Sequence, residues 1–254
     1  MSGLVNVLRK LPLLCAALTL PLLGACATKV AGLKVDPSFT YQAVIDGKLA
    51  VGGVAAYSKL DEATAARYAS ALKTMLQEKR PAYEVGMPGM VAGQMGADTY
   101  TALMTAFEAS GSVDAKNAAT LTAVKGARYV AFCMIESDAV TLDRQVVTDT
   151  DKKGNVIAGS ERIVKTARRD ITANLSIYDT QSGLRVWSGS VSKQQQADQT
   201  YRPEQTNLLV DLVKAANKTE AKSDDETYPP PAAPSADVVF GLVFAGFGEN
   251  MPTN

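Results

Sequence analysis

The stretch Ile171-Thr-Ala-Asn-Leu-Ser-Ile-Tyr-Asp-Thr-Gln-Ser-Gly-Leu-Arg-Val-Trp187 decides the fold. Successive side chains of a strand point to opposite sides. Ile171, Ala173, Leu175 and Ile177 therefore form an apolar row, and Thr172, Asn174, Ser176 and Tyr178 form a polar row behind it. A clean two-residue period of this kind marks an antiparallel sheet with one face less buried than the other. Asp179-Thr-Gln-Ser-Gly183 reads as the turn, and Leu184–Lys193 as the partner strand. Upstream, Arg128–Leu142 opens with apolar residues in both registers, which predicts a central strand. A further hairpin spans Val146–Ile157 with Lys153-Gly-Asn155 at its tip, leading into the long strand Ile163–Tyr178.

Working outward, Lys48–Ala55 predicts a first strand, with Gly52 and Gly53 marking a bulge or a close backbone approach. Asp61 to about Gln77 carries Ala65, Tyr68, Ala69, Leu72, Met75 and Leu76 on one helical face; Ser58 or Asp61 caps it and Pro81 ends it. Tyr83–Val85 reads as a short strand. Gly86–Gly96 reads as a glycine-rich loop whose methionines fill gaps under the sheet. Helices are predicted over Tyr100–Ala109, Asp114–Lys125 and Pro203–Lys218. Residues 219–236 form a charged, then proline-rich linker, and 237–254 hold an apolar helix around Val238–Phe247 that folds back on the domain. The predicted class is α+β: one domain, residues 47–218, with an antiparallel or mixed sheet and helices packed mainly on one face.

Composition narrows the function. The 254-residue chain has 26 basic and 26 acidic side chains. This balance offers no electrostatic case for nucleic acid or for an anionic membrane surface. The chain contains no histidine, which excludes Ser-His and Cys-His machinery and histidine-based metal sites. No cofactor, metal or catalytic residue is expected. Two alternatives to a non-catalytic role rest on particular residues. Glu136 and Asp138, two apart on a strand, suggest a retaining-glycosidase pair and hence an envelope glycan or peptidoglycan hydrolase. Met87, Met90 and Met95 suggest a soft Cu(I) site and hence a periplasmic metal or small-ligand carrier. Asp149 and Asp151 lack the glycine and terminal glutamate of a calcium loop and read as a solvated hairpin tip.

At the N-terminus, Arg9 and Lys10 precede an apolar run of 12 residues, Leu11–Leu22. A membrane span needs roughly 20, so the run reads as a secretory signal. Leu23-Gly-Ala-Cys26 resembles the lipobox of bacterial lipoproteins. The resemblance implies that residues 1–25 are removed, that Cys26 is acylated, and that residues 26–46 tether the domain to a membrane. Pro37 and mixed polarity argue against a regular element in that tether. Ala27, where an aspartate would retain the protein in the inner membrane, points to the outer membrane, periplasmic side. With Cys15 removed and Cys26 acylated, Cys133 is alone and reads as a small core residue.

Three stretches carry a second likeness: Lys48–Val54, Gly126-Ala-Arg-Tyr-Val130, and Leu175-Ser-Ile-Tyr-Asp-Thr-Gln-Ser-Gly-Leu-Arg-Val-Trp187. The last resembles the hydrophobic–Asp–x–x–x–Gly–x–x–hydrophobic–Trp hairpin of periplasmic lipoproteins of the CsgG and LpoB type, which have a TolB-N-terminal-like fold. The likeness covers about residues 48–193 and implies assembly or docking in the cell envelope rather than catalysis. Two departures stand out. Neither face of the Asp143–Ser160 hairpin is a continuous apolar band, as a membrane-inserted pore strand requires. The tether spans at most roughly 70 Å fully extended, short for a stalk crossing the periplasm. The polar row Thr172, Asn174, Ser176 and Tyr178 is the predicted docking face for a protein partner or a second copy. The competing reading has the Lys214 helix or the Val238–Phe247 segment covering it.

Overall fold

The computed structural model describes residues 28–203 and 223–254. The signal segment, Cys26 and all but the first residue of the predicted 203–218 helix lie outside the described residues. In chain order the elements are β1 Ala31–Val35, α1 Tyr41–Gly47, β2 Leu49–Ala56, α2 Glu62–Lys79, β3 Val85–Gly86, α3 Pro88–Met95, α4 Ala97–Ser110 and α5 Ala115–Thr120. They continue with β4 Tyr129–Val147, β5 Arg162–Asp179, β6 Arg185–Tyr201, α6 Asp224–Thr227 and α7 Ala236–Glu249. Six strands form one mixed sheet in the order β1-β6-β5-β4-β2-β3. β4, β5 and β6 run antiparallel as a meander, while β2 is parallel to both β3 and β4. The parallel pair requires a crossover, and α2 through α5 supply it.

α2 starts where the Asp61 carboxylate accepts from the Thr64 N–H at 2.8 Å, and Lys79 in its last turn complements the helix dipole. Tyr68, Ala69, Leu72 and Leu76 turn inward. Ser235 caps α7, whose Val239, Phe240, Val243, Phe244 and Phe247 are buried. α2 packs over β2 and against α7, which covers the apolar row of β5 and its neighbour β6, with Tyr68 and Phe240 rings 4.3 Å apart and Trp187 meeting Phe247 edge-on at 6.2 Å. This is the larger core, and Cys133 lies inside it. A second, smaller core on the opposite face joins Phe107, Leu103 and Leu121 of the α4–α5 layer to Val130, Phe132 and Met134 of β4.

The glycine pair of β2 both bulges and admits a close neighbour. The β2–β4 register slips between Val51 and Gly53, and a Cβ on Gly52 would stand 2.5 Å from the Phe132 ring. Helices lie on both faces of the sheet rather than mainly on one, and two segments also differ from the sequence reading. Residues 28–46, expected as an irregular tether, contain β1 and α1: Pro37 sits in the turn between them, which the Asp36 carboxylate closes by accepting from the Ser38 N–H at 2.9 Å. The expected Gly86–Gly96 loop holds α3, because Pro88 pre-sets its first turn and Val91 and Met95 are buried beneath it.

β4 pairs with β2 only as far as Ile135. Beyond that point β4, β5 and β6 run on as a three-stranded extension of the sheet. At roughly 3.3 Å per residue the 19-residue β4 is about 60 Å long. The segment after residue 223 lies along one face of this extension. The Lys165 ammonium donates to Asp225 at 2.7 Å, the Tyr201 hydroxyl to the Pro229 carbonyl at 2.6 Å, and Arg169 to the Pro234 carbonyl at 2.9 Å.

Candidate functional site

The polar row of β5 is split between two environments. Tyr178, 3% exposed, is core: its ring meets Phe132 at 6.2 Å and its hydroxyl accepts the Val113 N–H at 3.0 Å. Ser176 beside it is buried as well. These two are corrected as docking residues. The physical reason is that the α4–α5 layer roofs the start of β4 and therefore the end of β5, which lies antiparallel to it. Of the two competing covers, α7 lies on the opposite face, and the Lys214 helix falls on residues 204–222, outside the described residues.

Thr172 and Asn174 remain partly exposed, and β6 extends their surface. Thr172 pairs with Ser192 and Asn174 with Ser190. The Thr172 and Ser192 hydroxyls lie 2.8 Å apart, and Ser190 donates to the Ala173 carbonyl at 3.2 Å and to Glu136 at 3.3 Å. Thr172, Asn174, Ser190 and Ser192 thus form a hydrogen-bonding patch on paired strands, bordered by Glu136. Neighbouring it is the edge of β4 from Ser137 to Val147, which has β5 on one side and no strand among the described residues on the other. A strand edge of this kind offers a row of backbone donors and acceptors.

The carboxylate pair does not converge. A bulge between Ile135 and Ser137 inserts Glu136 as an extra residue. Glu136 therefore reaches Ser190 on the polar face, while Asp138 faces the other way and accepts from Arg169 at 2.8 Å. The three methionines are divided too: Met87 is exposed, Met90 is half-buried and Met95 is buried in the second core. At the hairpin tip, Asp151 accepts from the Lys153 and Asn155 N–H groups at 2.8 and 2.9 Å, so it organises the turn. Burial, and then the nearby Glu136 charge, push the Cys133 thiol up, which makes it unreactive.

An open cleft of about 1060 Å³ lies where β2 and β4 begin, lined by Asp46, Lys48, Lys125 and Arg128. Its cations are engaged. Lys48 pairs with Glu84, Arg128 with Asp179, and Lys125 donates to the Thr122 carbonyl. The cleft also lies at the amino ends of the parallel strands, whereas ligand sites of open α/β sheets form at the carboxyl ends.

No helix among the described residues is long and apolar enough to cross a membrane. No family model and no curated protein matches the sequence. Solved structures do resemble it. PelC from Paraburkholderia phytofirmans, a dodecamer, is 14% identical, with 89% of this chain and 99% of that chain covered and a TM-score of 0.37. Lipoprotein GNA1162 from Neisseria meningitidis is 15% identical, with 68% and 96% covered and a TM-score of 0.31. The LpoB C-terminal domain from Salmonella enterica is 13% identical, with 62% and 98% covered and a TM-score of 0.31.

Proposed function

We propose that this chain is a lipoprotein of the bacterial cell envelope, held to the periplasmic side of the outer membrane by acyl groups on Cys26, and that it serves there as a non-catalytic docking or assembly factor. The observation that supports docking is the β5–β6 patch of Thr172, Asn174, Ser190 and Ser192, partly or fully exposed among the described residues. None of the four is charged, and depletion of charge distinguishes the centre of an interface from ordinary solvated surface. The adjoining β4 edge supplies a second mode of contact, pairing of a partner's strand or of a second copy. The hydrolase and carrier readings gain no support from Glu136 and Asp138 on opposite faces or from divided methionines.

The test is a photo-reactive side chain at Asn174 in cells making the acylated protein, with exposed Lys59 as the control position. The expected result is a discrete adduct from 174, to a second copy or to another envelope protein, and none from 59. Equal or absent labelling at the two positions would sink the docking reading.

A further inference from the structure

Thr28 is the first described residue, and it is pinned to the body. Its carbonyl accepts from the Asn250 amide at 2.8 Å, its hydroxyl accepts from the Lys193 ammonium at 2.8 Å, and its methyl group occupies the space a Cβ on Gly246 would need. Thr28 is two residues after Cys26. Two residues reach at most about 7 Å. A lipid on Cys26 therefore leaves no stalk, and the carboxyl-terminal end of α7 must lie at the bilayer surface.

α7 also has an unusual outer side. Five of its residues fill the core, yet Val238 and Leu242 are 52% and 39% exposed. With Gly241 and Ala245, both partly exposed, they form one stripe at helical spacing. No charge interrupts it. The charged residues of the helix are Asp237 and Glu249, before and after the stripe, paired with Arg67 and Lys79. From Val238 to Ala245 the stripe runs about 10 Å along the helix. It ends one residue before Gly246, which touches Thr28. Exposed Lys29 and partly exposed Lys193 stand by Thr28, suitably placed for lipid phosphates.

We infer that the outer stripe of α7 rests in the headgroup layer of the phospholipid bilayer that holds the Cys26 anchor, so that the domain lies against the membrane in one fixed orientation. The inference rests on the acylation of Cys26 proposed above. The stripe is too small to bind a membrane by itself; the acyl chains supply affinity and the stripe supplies orientation.

The experiment uses the acylated full-length protein in phosphatidylethanolamine/phosphatidylglycerol vesicles, with a nitroxide on Leu242→Cys or, for comparison, on Lys153→Cys at the hairpin tip. Buried Cys133 does not compete for label. Collision with a water-soluble nickel chelate is expected to be at least about threefold lower at 242 than at 153, with the opposite ranking for oxygen, as for a side chain at the headgroup boundary. Equal access at both sites, with acyl groups on Cys26 shown by mass spectrometry, would overturn the orientation and leave the anchor standing. An unacylated Cys26 would overturn the anchor and the orientation with it. Protection at 242 that appears only at high protein-to-lipid ratio, with dipolar broadening between labels, would assign the stripe to a second copy and overturn the membrane contact.

Discussion

The Tyr178 hydroxyl accepts the backbone N–H of Val113 across 65 residues of sequence, and the bond is buried. It ties the end of β5 to the turn between α4 and α5, and through it the long meander to the second helical layer. Tyr178→Phe keeps the ring but leaves a buried donor unpaired, which costs about 1–3 kcal/mol. Tyr178→Ala also opens a cavity under Phe132 and costs roughly 3–5 kcal/mol. Asn174→Lys, two positions earlier on the same face, should change stability by no more than about 0.5 kcal/mol. Urea denaturation of the three variants checks the order; a Tyr178→Ala protein as stable as Asn174→Lys would mean the ring is not core.

A second relation concerns acid stability. Asp179 is almost fully buried; burial pushes its carboxyl up, but hydrogen bonds from Arg128 and the Gln181 N–H outweigh this and hold it below the usual carboxylate range. A folded pKa below the unfolded one stabilises the fold above the ordinary carboxylate value, near 3.8, and the contribution is lost as pH falls through the folded pKa. Arg128→Met removes both donors, at 3.1 and 2.7 Å, and should move the acid-unfolding midpoint to higher pH. Circular dichroism followed from pH 6 down to pH 2 measures it, and an unchanged midpoint would contradict the assignment.

Cys26→Ser should abolish acylation and leave the precursor unprocessed, because the lipoprotein peptidase requires the acylated thiol. Mass spectrometry of the mature protein reads this directly. A mature protein beginning at a residue other than Cys26, without acyl groups, would remove the membrane anchor from the proposed function.

The β4–β5 hairpin should stay in water. Arg144 lies on the same face as Leu142 and Val146, and Lys152 and Lys153 sit at the tip. A lipid-facing Arg or Lys at the bilayer midplane costs roughly 2–4 kcal/mol. Protease added from outside should cleave near Lys152 in vesicles bearing the protein outward, and the purified protein should form no ion-conducting pores in planar bilayers. Steady single-channel currents would reverse this reading.

Much of the fold was legible because it is local. The β5 alternation, the Asp61 cap and the glycine pair of β2 each report on neighbours in sequence. What was missed depends on distant partners. Tyr178 and Thr172 occupy equivalent positions in one alternating row, and only the placement of α4 and α5 buries one and exposes the other. The bulge at Glu136 left no trace in composition, since one extra residue inside a polar stretch changes neither length nor polarity, yet it moves Asp138 to the other face. Gln194–Tyr201 of β6, polar on both sides, extends only because β5 pairs with it. The β1 and α1 segments are five and seven residues long, too short to show a period. Exposure of Val238 and Leu242 was hidden for the opposite reason: α7 is apolar all round, so its sequence does not say which side faces the core.

The position of α7 in the chain sets the order in which the protein can be completed. Phe240, Phe244 and Phe247 cover the apolar row of β5, but they follow every strand in sequence. During synthesis the sheet therefore emerges with its largest apolar face wet, and Thr28 waits for Asn250, 222 positions later, to close against it. Until those last turns have been made the larger core cannot form, however well the meander is paired. The incomplete chain thus keeps that apolar face open to water up to its last turns. Its final helix, rather than the sheet, ends that exposure.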